Sequence, residues 1–170
     1  GANGGSGFYG GADDIRKVDK KTYYDWPNTY SLIRKLQPNA VIFSDSGPDI
    51  RWVGNEKGYA NKTTWSNIYR DSVYTGMVDY SKFSSGQENG THYIPTETDV
   101  SIRPGWYYHP EQDDKVKSLE KLIDIYFNSV GLNSSLLLNI PVDARGLIHE
   151  NDAKRMIELN NYLKSTFKNN

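Results

Sequence analysis

Three short runs rich in apolar residues, set far apart in the chain, constrain its fold more than any other feature. They cover residues 40–44, 98–102 and 135–140, and each is followed within a few residues by glycine or proline. The first contains four consecutive apolar residues (40–43) and the third contains three (136–138), which is typical of strands that are buried on both faces. We therefore expect three strands at these positions.

Helical periodicity separates or follows these runs. For the first helix, Asp25 is a suitable N-cap, Pro27 fits the first turn, and Pro38 ends the pattern. Gly131 is predicted to end the second helix as a left-handed C′ residue. The predicted helices cover residues 24–36, 114–130 and, starting at Asn151 or Asp152, the stretch to Phe167.

The order of these elements predicts an α/β fold. A helix and a strand precede a long irregular loop over residues 45–95, and a strand, a helix, a strand and a helix follow it. Such alternation is typical of a parallel sheet with helical crossovers. Three strands are too few for a closed barrel, so we predict part of a (β/α)8 barrel with long loops after its strands. Residues 1–11 are rich in glycine and are predicted to form a loop.

Composition narrows the functional classes. The net charge of -1 gives no electrostatic reason to expect a nucleic-acid partner. The chain has no cysteine, its three histidines are isolated, and no zinc-binding pattern occurs, so the sequence predicts neither a thiolate metal site nor a zinc site. No apolar stretch approaches the about 18–20 residues that a membrane span requires.

Carboxylates and aromatic residues are concentrated after the predicted strands. Glycoside hydrolases need two carboxyl groups that flank the scissile bond, and a flat aromatic ring packs well on the C–H face of a sugar. Parallel α/β barrels place their active sites at the ends of the strands from which these residues follow. The pattern therefore favours a glycoside hydrolase. The segments concerned are residues 45–56, 97–99 and 103–109.

Five blocks in the same order resemble the catalytic domain of family 29 α-L-fucosidases, specifically the branch that prefers α1,3/4-linked fucose. The resemblance spans essentially the whole chain and implies a retaining exo-fucosidase that needs no cofactor. It identifies residues 1–170 as the C-terminal part of a (β/α)8 catalytic domain. The blocks are residues 1–4 (GANG), 36–45 (LQPNAVIFSD), 47–56 (GPDIRWVGNE), 99–106 (DVSIRPGW) and 137–141 (LLNIP).

The same resemblance implies parts that these 170 residues do not contain. In the family, a Trp-Phe-Asp-Gly-Ala segment carries the nucleophilic aspartate, which would immediately precede Gly1. The N-terminal half of the barrel and the C-terminal β-sandwich would also lie outside the sequence. We therefore expect the isolated chain to be inactive, and we expect the missing half and a fucosylated glycan as its partners. The family's substrates imply a periplasmic or secreted location.

Glu56 matches the general acid/base of the family. Its neighbours Trp52 and Val53 are expected to desolvate it, which would raise its pKa and favour proton donation. Glu97, at the start of a strand, is the alternative acid/base. Trp106 resembles a wall of the fucose subsite, or else it stiffens the preceding Pro-Gly turn.

Other residues are weaker candidates for substrate binding. Arg103 is expected either to contact a sugar hydroxyl or to form a buried ion pair. Trp52 and Asp49 are predicted to frame the acceptor sugar. Asp143 and Arg145 are expected to pair with each other.

One further alternative and one further segment stay open. The same aromatic loops could serve a non-catalytic carbohydrate-binding module, which would keep glycan affinity without an acid at Glu56. The stretch Thr63–Thr91 departs from the compact loop of the family branch. It either extends the acceptor site or packs against the missing half, and its aromatic residues are Trp65, Tyr69, Tyr74 and Tyr80.

Overall fold

A computed structural model of the chain describes residues 19, 21–45, 47–74 and 84–168. Short 3₁₀ turns at Arg70–Ser72, Pro110–Gln112 and Val130–Leu132 connect the main elements. The loop predicted over residues 1–11 and Tyr80 lie outside the described residues. The helices are α1 (Trp26–Leu36), α2 (Leu119–Ser129) and α3 (Glu150–Thr166), and the strands are β1 (Phe43–Ser44), β2 (Ile50–Trp52), β3 (Asn67–Ile68), β4 (His92–Tyr93), β5 (Thr96–Ser101) and β6 (Ser134–Asn139).

The chain divides into two compact units. The first comprises the residues up to Gly54 together with Thr63–Glu97, and the second comprises Asn55–Lys62 together with the residues from Thr98 onward. Strand β5 contributes its first two residues to the first unit and the others to the second.

The first unit contains parallel pairing, as the sequence predicts. Strand β1 is parallel to β2, with Phe43 opposite Ile50, and β2 is parallel to the start of β5, with Arg51 opposite Thr96. Strands β3 and β4 form a separate antiparallel pair. The predicted α/β class with a parallel sheet is therefore confirmed. Strand β2 was not predicted, because a buried arginine at its centre interrupts the apolar pattern.

The second unit has a well-defined hydrophobic core. Two side chains of α2 and one of α3 pack against residues at the end of β5, and partly buried leucines of β6 complete the cluster. The amphipathic spacing of both helices explains this packing, since residues three and four apart lie on one helix face. The buried members are Val100, Ile102, Leu122, Ile125 and Leu159.

Some expectations about burial and helix ends are wrong. Strand β1 is not buried on both faces: Val41, just before it, is 68% exposed and Phe43 is 46% exposed. Leu137 in β6 is 44% exposed, because the packed helices cover only the face that carries Leu136 and Leu138.

The ends of two helices also differ from the predictions. Asp25 occupies the N-cap position of α1, but its φ is 46° and its side chain makes no capping hydrogen bond. Helix α2 starts at Leu119 rather than at 114, because the Ser118 hydroxyl accepts a hydrogen bond from the Lys121 amide. Its end continues into a 3₁₀ turn, so the left-handed residue is Asn133, not Gly131.

Candidate active site

The structure brings two of the predicted site residues of the second unit into contact. The Trp106 indole Nε1–H donates a hydrogen bond to Oε2 of Glu56 at 3.1 Å. The Glu56 carboxylate is exposed, so the desolvation expected from its sequence neighbours is not present. Among the described residues, Oε1 of Glu56 accepts no hydrogen bond, which leaves one carboxyl oxygen oriented and the other available.

The loop that carries Glu56 is closed by its own side chains. Asn55 accepts a hydrogen bond from the Lys57 amide at 2.9 Å through its side-chain oxygen and donates to the Tyr59 carbonyl at 3.0 Å. Asparagine is well suited to this, because its short amide can hydrogen-bond the backbone two residues on. These bonds flank Glu56 on both sides and fix the path of its backbone.

Gly58 brings this loop into close contact with the core of the second unit. Its amide donates to the Asp99 carbonyl at 3.1 Å, and its φ is 76°, in the left-handed region that favours glycine. A Cβ at this position would lie 2.9 Å from methyl groups of both Val100 and Ile125. The close approach therefore also requires a residue without a side chain.

Helix α2 anchors the C-terminal part of the loop. The Tyr59 hydroxyl donates to Oδ2 of Asp124 at 2.6 Å, and the ammonium of Lys121 lies 4.8 Å from the Tyr59 ring centroid. The Ala60 amide donates to the Asn128 carbonyl at 2.8 Å. The position of Glu56 thus depends on a helix that carries none of the predicted site residues.

Trp106 is positioned by a turn after β5. The Ser101 hydroxyl donates to the Gly105 carbonyl at 2.7 Å, and the Asn139 side-chain amide donates to the Trp106 carbonyl at 3.0 Å. Lys117 donates to the Ser101 carbonyl at 2.6 Å. Sequence reasoning missed Ser101, Lys117 and Asn139 as positioning residues. Asn139 lies in the 137–141 block, and its place at the end of a strand was the available signal.

Arg103 makes the buried ion pair that was one of its two predicted roles. It is fully buried, and its Nε lies 2.8 and 3.1 Å from the two carboxyl oxygens of Asp152, which is also fully buried. Nη1 donates to Asp113 at 2.8 Å, and the Tyr108 ring lies over the guanidinium. Burial opposes the charge of Arg103, but the hydrogen bonds to Asp113 and Asp152 raise its pKa above the ordinary value. Contact of Arg103 with a sugar stays a prediction.

The other predicted residues lie in the first unit. Asp49 forms an ion pair with Arg34 and accepts a hydrogen bond from the Ile42 amide at 2.6 Å. The bond from Arg34 lowers the pKa of Asp49 below its ordinary value. Glu97 lies opposite Trp52 in the pairing of β2 with β5. Roles for Asp49, Trp52 and Glu97 at a substrate stay predictions.

The ion pair predicted after the last strand is present. Asp143 and Arg145 form the predicted ion pair at 2.6 Å, and Arg145 also reaches Glu150 at 2.9 Å. In the part of the chain that the structure describes, no group of three or more metal-binding side chains converges. No helix in that part has the length and hydropathy needed to cross a membrane.

Comparison with known proteins identifies the family. A sequence model of alpha-L-fucosidases matches residues 11–167. The chain belongs to the alpha-L-fucosidase family. It is 44% identical over 152 residues to alpha-L-fucosidase 1 of Arabidopsis thaliana, which covers 89% of this chain and 30% of that protein.

Solved structures of the fucosidase family show the same fold. The chain is 48% identical to a glycoside hydrolase 29 family member from an unknown rumen bacterium, with a TM-score of 0.86 over 100% of this chain and 30% of that one. It is 29% identical to a GH29 fucosidase of Ruminococcus gnavus solved in complex with fucose, with a TM-score of 0.76 over 94% of this chain and 32% of that one. The chain therefore spans about a third of the length of these fucosidase-family relatives.

Proposed function

We propose that the protein of which this chain forms part is a retaining exo-α-L-fucosidase. It removes terminal α-linked L-fucose, with a preference for α1,3/4 linkages, from oligosaccharides or glycoproteins. The observation that carries this proposal is the hydrogen bond from the Trp106 indole to the Glu56 carboxylate, on a loop anchored to the core, in a chain of the fucosidase family.

Glu56 is proposed as the general acid/base. In the first step an aspartate outside these residues attacks the anomeric carbon, while Glu56 donates a proton to the departing glycosidic oxygen. In the second step Glu56 takes a proton from water, and the water releases fucose with retained configuration. The Trp106 N–H holds Oε2, which leaves Oε1 to carry the transferred proton in both steps.

The proposed fold of the complete catalytic domain is a (β/α)8 barrel. The parallel pairing of β1, β2 and β5 and the similarity to glycoside hydrolase 29 structures support it. We infer that the remaining part of the barrel supplies the nucleophile, and that the 170 residues alone release no fucose. Fucosylated glycans outside the cytoplasm are the proposed substrates, which implies a periplasmic or secreted enzyme.

The test compares single substitutions in the protein that carries this chain. Fucose release from a Lewis-type trisaccharide should fall by about 10²–10⁴ in Glu56→Gln, because a general acid/base contributes about that much. On a 4-nitrophenyl fucoside the same variant should still give a burst of one equivalent of nitrophenol, since this leaving group needs little protonation. Trp106→Phe, which keeps a ring and removes the N–H, should lose about 10- to 100-fold in kcat.

The outcomes separate the alternatives. Glu88→Gln, at an exposed position, is the matched control and should retain wild-type activity. If Glu97→Gln carries the loss and Glu56→Gln does not, the assignment to Glu56 is wrong. If the wild type releases fucose from no linkage and yet binds the glycan, the protein is a carbohydrate-binding module.

A further inference from the structure

A pocket of about 240 Å³ opens in the first unit, and none of the residues proposed for catalysis lines it. Three aromatic rings and two cations contribute to its lining. The ammonium of Lys21 lies 4.9 Å from the centroid of the Tyr74 ring, so one cation and one ring are already adjacent. The five side chains are those of Lys21, Trp26, Tyr30, Arg70 and Tyr74.

Two of the three aromatic walls are held by contacts within the unit. The rings of Trp26 and Tyr30 stack with their centroids 5.7 Å apart and an interplanar angle of 23°. The Tyr30 hydroxyl donates to Ser44 Oγ at 3.1 Å and approaches the Gly47 carbonyl at 3.4 Å. Rigid aromatic faces with a tethered hydroxyl are well suited to packing against the C–H face of a sugar ring.

The two cations lack carboxylate partners in the described part of the chain. Neither Lys21 nor Arg70 forms an ion pair among the described residues. Both act on carboxylates only at longer range, Lys21 on Asp19 and Arg70 on Asp49. The nearby carboxylate of Asp49 is bound by Arg34, and that hydrogen bond lowers its pKa more than the charge of Arg70 does. Asp19 accepts hydrogen bonds from the Thr22 hydroxyl at 2.8 Å and from the backbone amide of Lys21 itself at 3.0 Å.

We propose that this pocket binds an acidic monosaccharide residue, a pyranose that carries a carboxylate or a sulfate ester. The C–H face of the pyranose packs on the aromatic walls, and its anionic group lies between Lys21 and Arg70. A bare inorganic anion would leave the three rings without a function, and a neutral sugar would leave both cations without an ion-pair partner among the described residues. This inference goes beyond the proposed function and uses none of its catalytic residues.

Binding of lactose derivatives to the protein that carries this chain tests the inference. Lactose, 3′-sialyllactose and 3′-sulfolactose contain no fucose, so wild-type protein can be titrated by calorimetry without turnover. We expect at least one acidic probe to bind about 10-fold more tightly than lactose, and the difference to shrink at high salt. The carboxylate and sulfate probes show which acidic group is preferred.

Substitutions assign the binding to the pocket. Arg70→Gln and Lys21→Gln should each raise the Kd of the acidic probe by about 5- to 10-fold, which corresponds to one lost charged hydrogen bond at a site open to solvent. Tyr74→Ala should raise this Kd to a similar extent, because it removes one of the aromatic rings that line the pocket. Lys164→Gln removes the same charge from an exposed helix face and should change nothing.

Three results would overturn the inference. These are equal affinity for lactose and both acidic probes, no detectable binding of any probe, and acidic binding that survives both Arg70→Gln and Lys21→Gln. Circular dichroism spectra of these variants should match the wild type, and Arg70→Lys, which keeps the charge, should retain most of the binding. Because no probe is a fucoside, the binding result does not depend on whether the protein is a fucosidase. A failure of the fucosidase proposal would not affect the pocket proposal, and a failure of the pocket proposal would not affect the fucosidase proposal.

Discussion

The ion pair between Arg103 and Asp152 should dominate the stability of the second unit. Both side chains are fully buried, and the Arg103 Nε lies 2.8 and 3.1 Å from the carboxyl oxygens of Asp152. Asp152→Asn would leave a buried guanidinium with Asp113, itself 31% exposed, as its remaining charged partner. Breaking a buried pair on one side costs about 3–5 kcal/mol, and we expect the free energy of unfolding to fall by that amount.

Urea denaturation of the protein that carries this chain measures this loss. Asp114→Asn, the same change at an exposed position, should stay within about 0.5 kcal/mol of the wild type. A double-mutant cycle then tests the coupling: Arg103→Met with Asp152→Leu should cost less than the sum of the two single changes by more than about 1 kcal/mol. A loss below about 1 kcal/mol in Asp152→Asn, or strict additivity in the cycle, would refute the reasoning.

Two further predictions follow from the structure. Gly58→Ala should lower the free energy of unfolding by about 2–4 kcal/mol, because the left-handed φ disfavours a side chain and the new Cβ would overpack against Val100 and Ile125. The variant should also have a lower kcat, because the change displaces Glu56. A thermal unfolding curve identical to that of the wild type would contradict the prediction. The hydrogen bond from Arg145 lowers the pKa of Asp143 from 3.8 to about 2, so this pair stabilises the fold above pH 4 and the stabilisation is lost as the pH falls towards 2. Between pH 4 and pH 2, the free energy of unfolding should fall less steeply for Asp143→Asn than for the wild type in acid denaturation. Identical curves for the two proteins would exclude this ion pair as the cause.

The apolar periodicity of the sequence predicts the longer elements well. The strand expected over 135–140 is β6 at Ser134–Asn139, and the helix expected to end at Phe167 is α3, which ends at Thr166. Both have strong local patterns, since burial of one face dictates the spacing of apolar residues. The second strand, expected over 98–102, is β5 at Thr96–Ser101.

Long-range contacts explain what the sequence did not reveal. Strand β2 lies parallel to β1 after a connection of residues 45–49 only, whereas such pairs usually need about a dozen residues. Its central Arg51 donates to the Trp65 and Ser84 carbonyls, and burial lowers its pKa to about 10. Strands β3 and β4 have two residues each, too few for a periodic signal.

The candidate site was predictable in its residues but not in its contacts. Glu56 and Trp106 were identified by the resemblance to fucosidases, and their hydrogen bond joins positions 50 residues apart. The end of a strand marks Asn139 as a candidate, but its acceptor, the Trp106 carbonyl, is 33 residues away in the chain and is brought to it only by the fold. Arg103 likewise needed the structure, because Asp152 lies 49 residues further along the chain.

The outer surface of α2 is not a neutral place for protein engineering. Lys121, Asp124 and Asn128 look like ordinary solvent-facing positions, which a designer would replace freely to improve solubility or crystallisation. The Asp124 side chain accepts the hydrogen bond of the Tyr59 hydroxyl and so tethers the loop that carries Glu56, whereas the Asn128 carbonyl that accepts from the Ala60 amide belongs to the backbone. A charge reversal at Asp124 would therefore break the hydrogen bond to Tyr59 and disturb the position of the proposed acid/base Glu56. Variants of this surface should be ranked by turnover as well as by solubility.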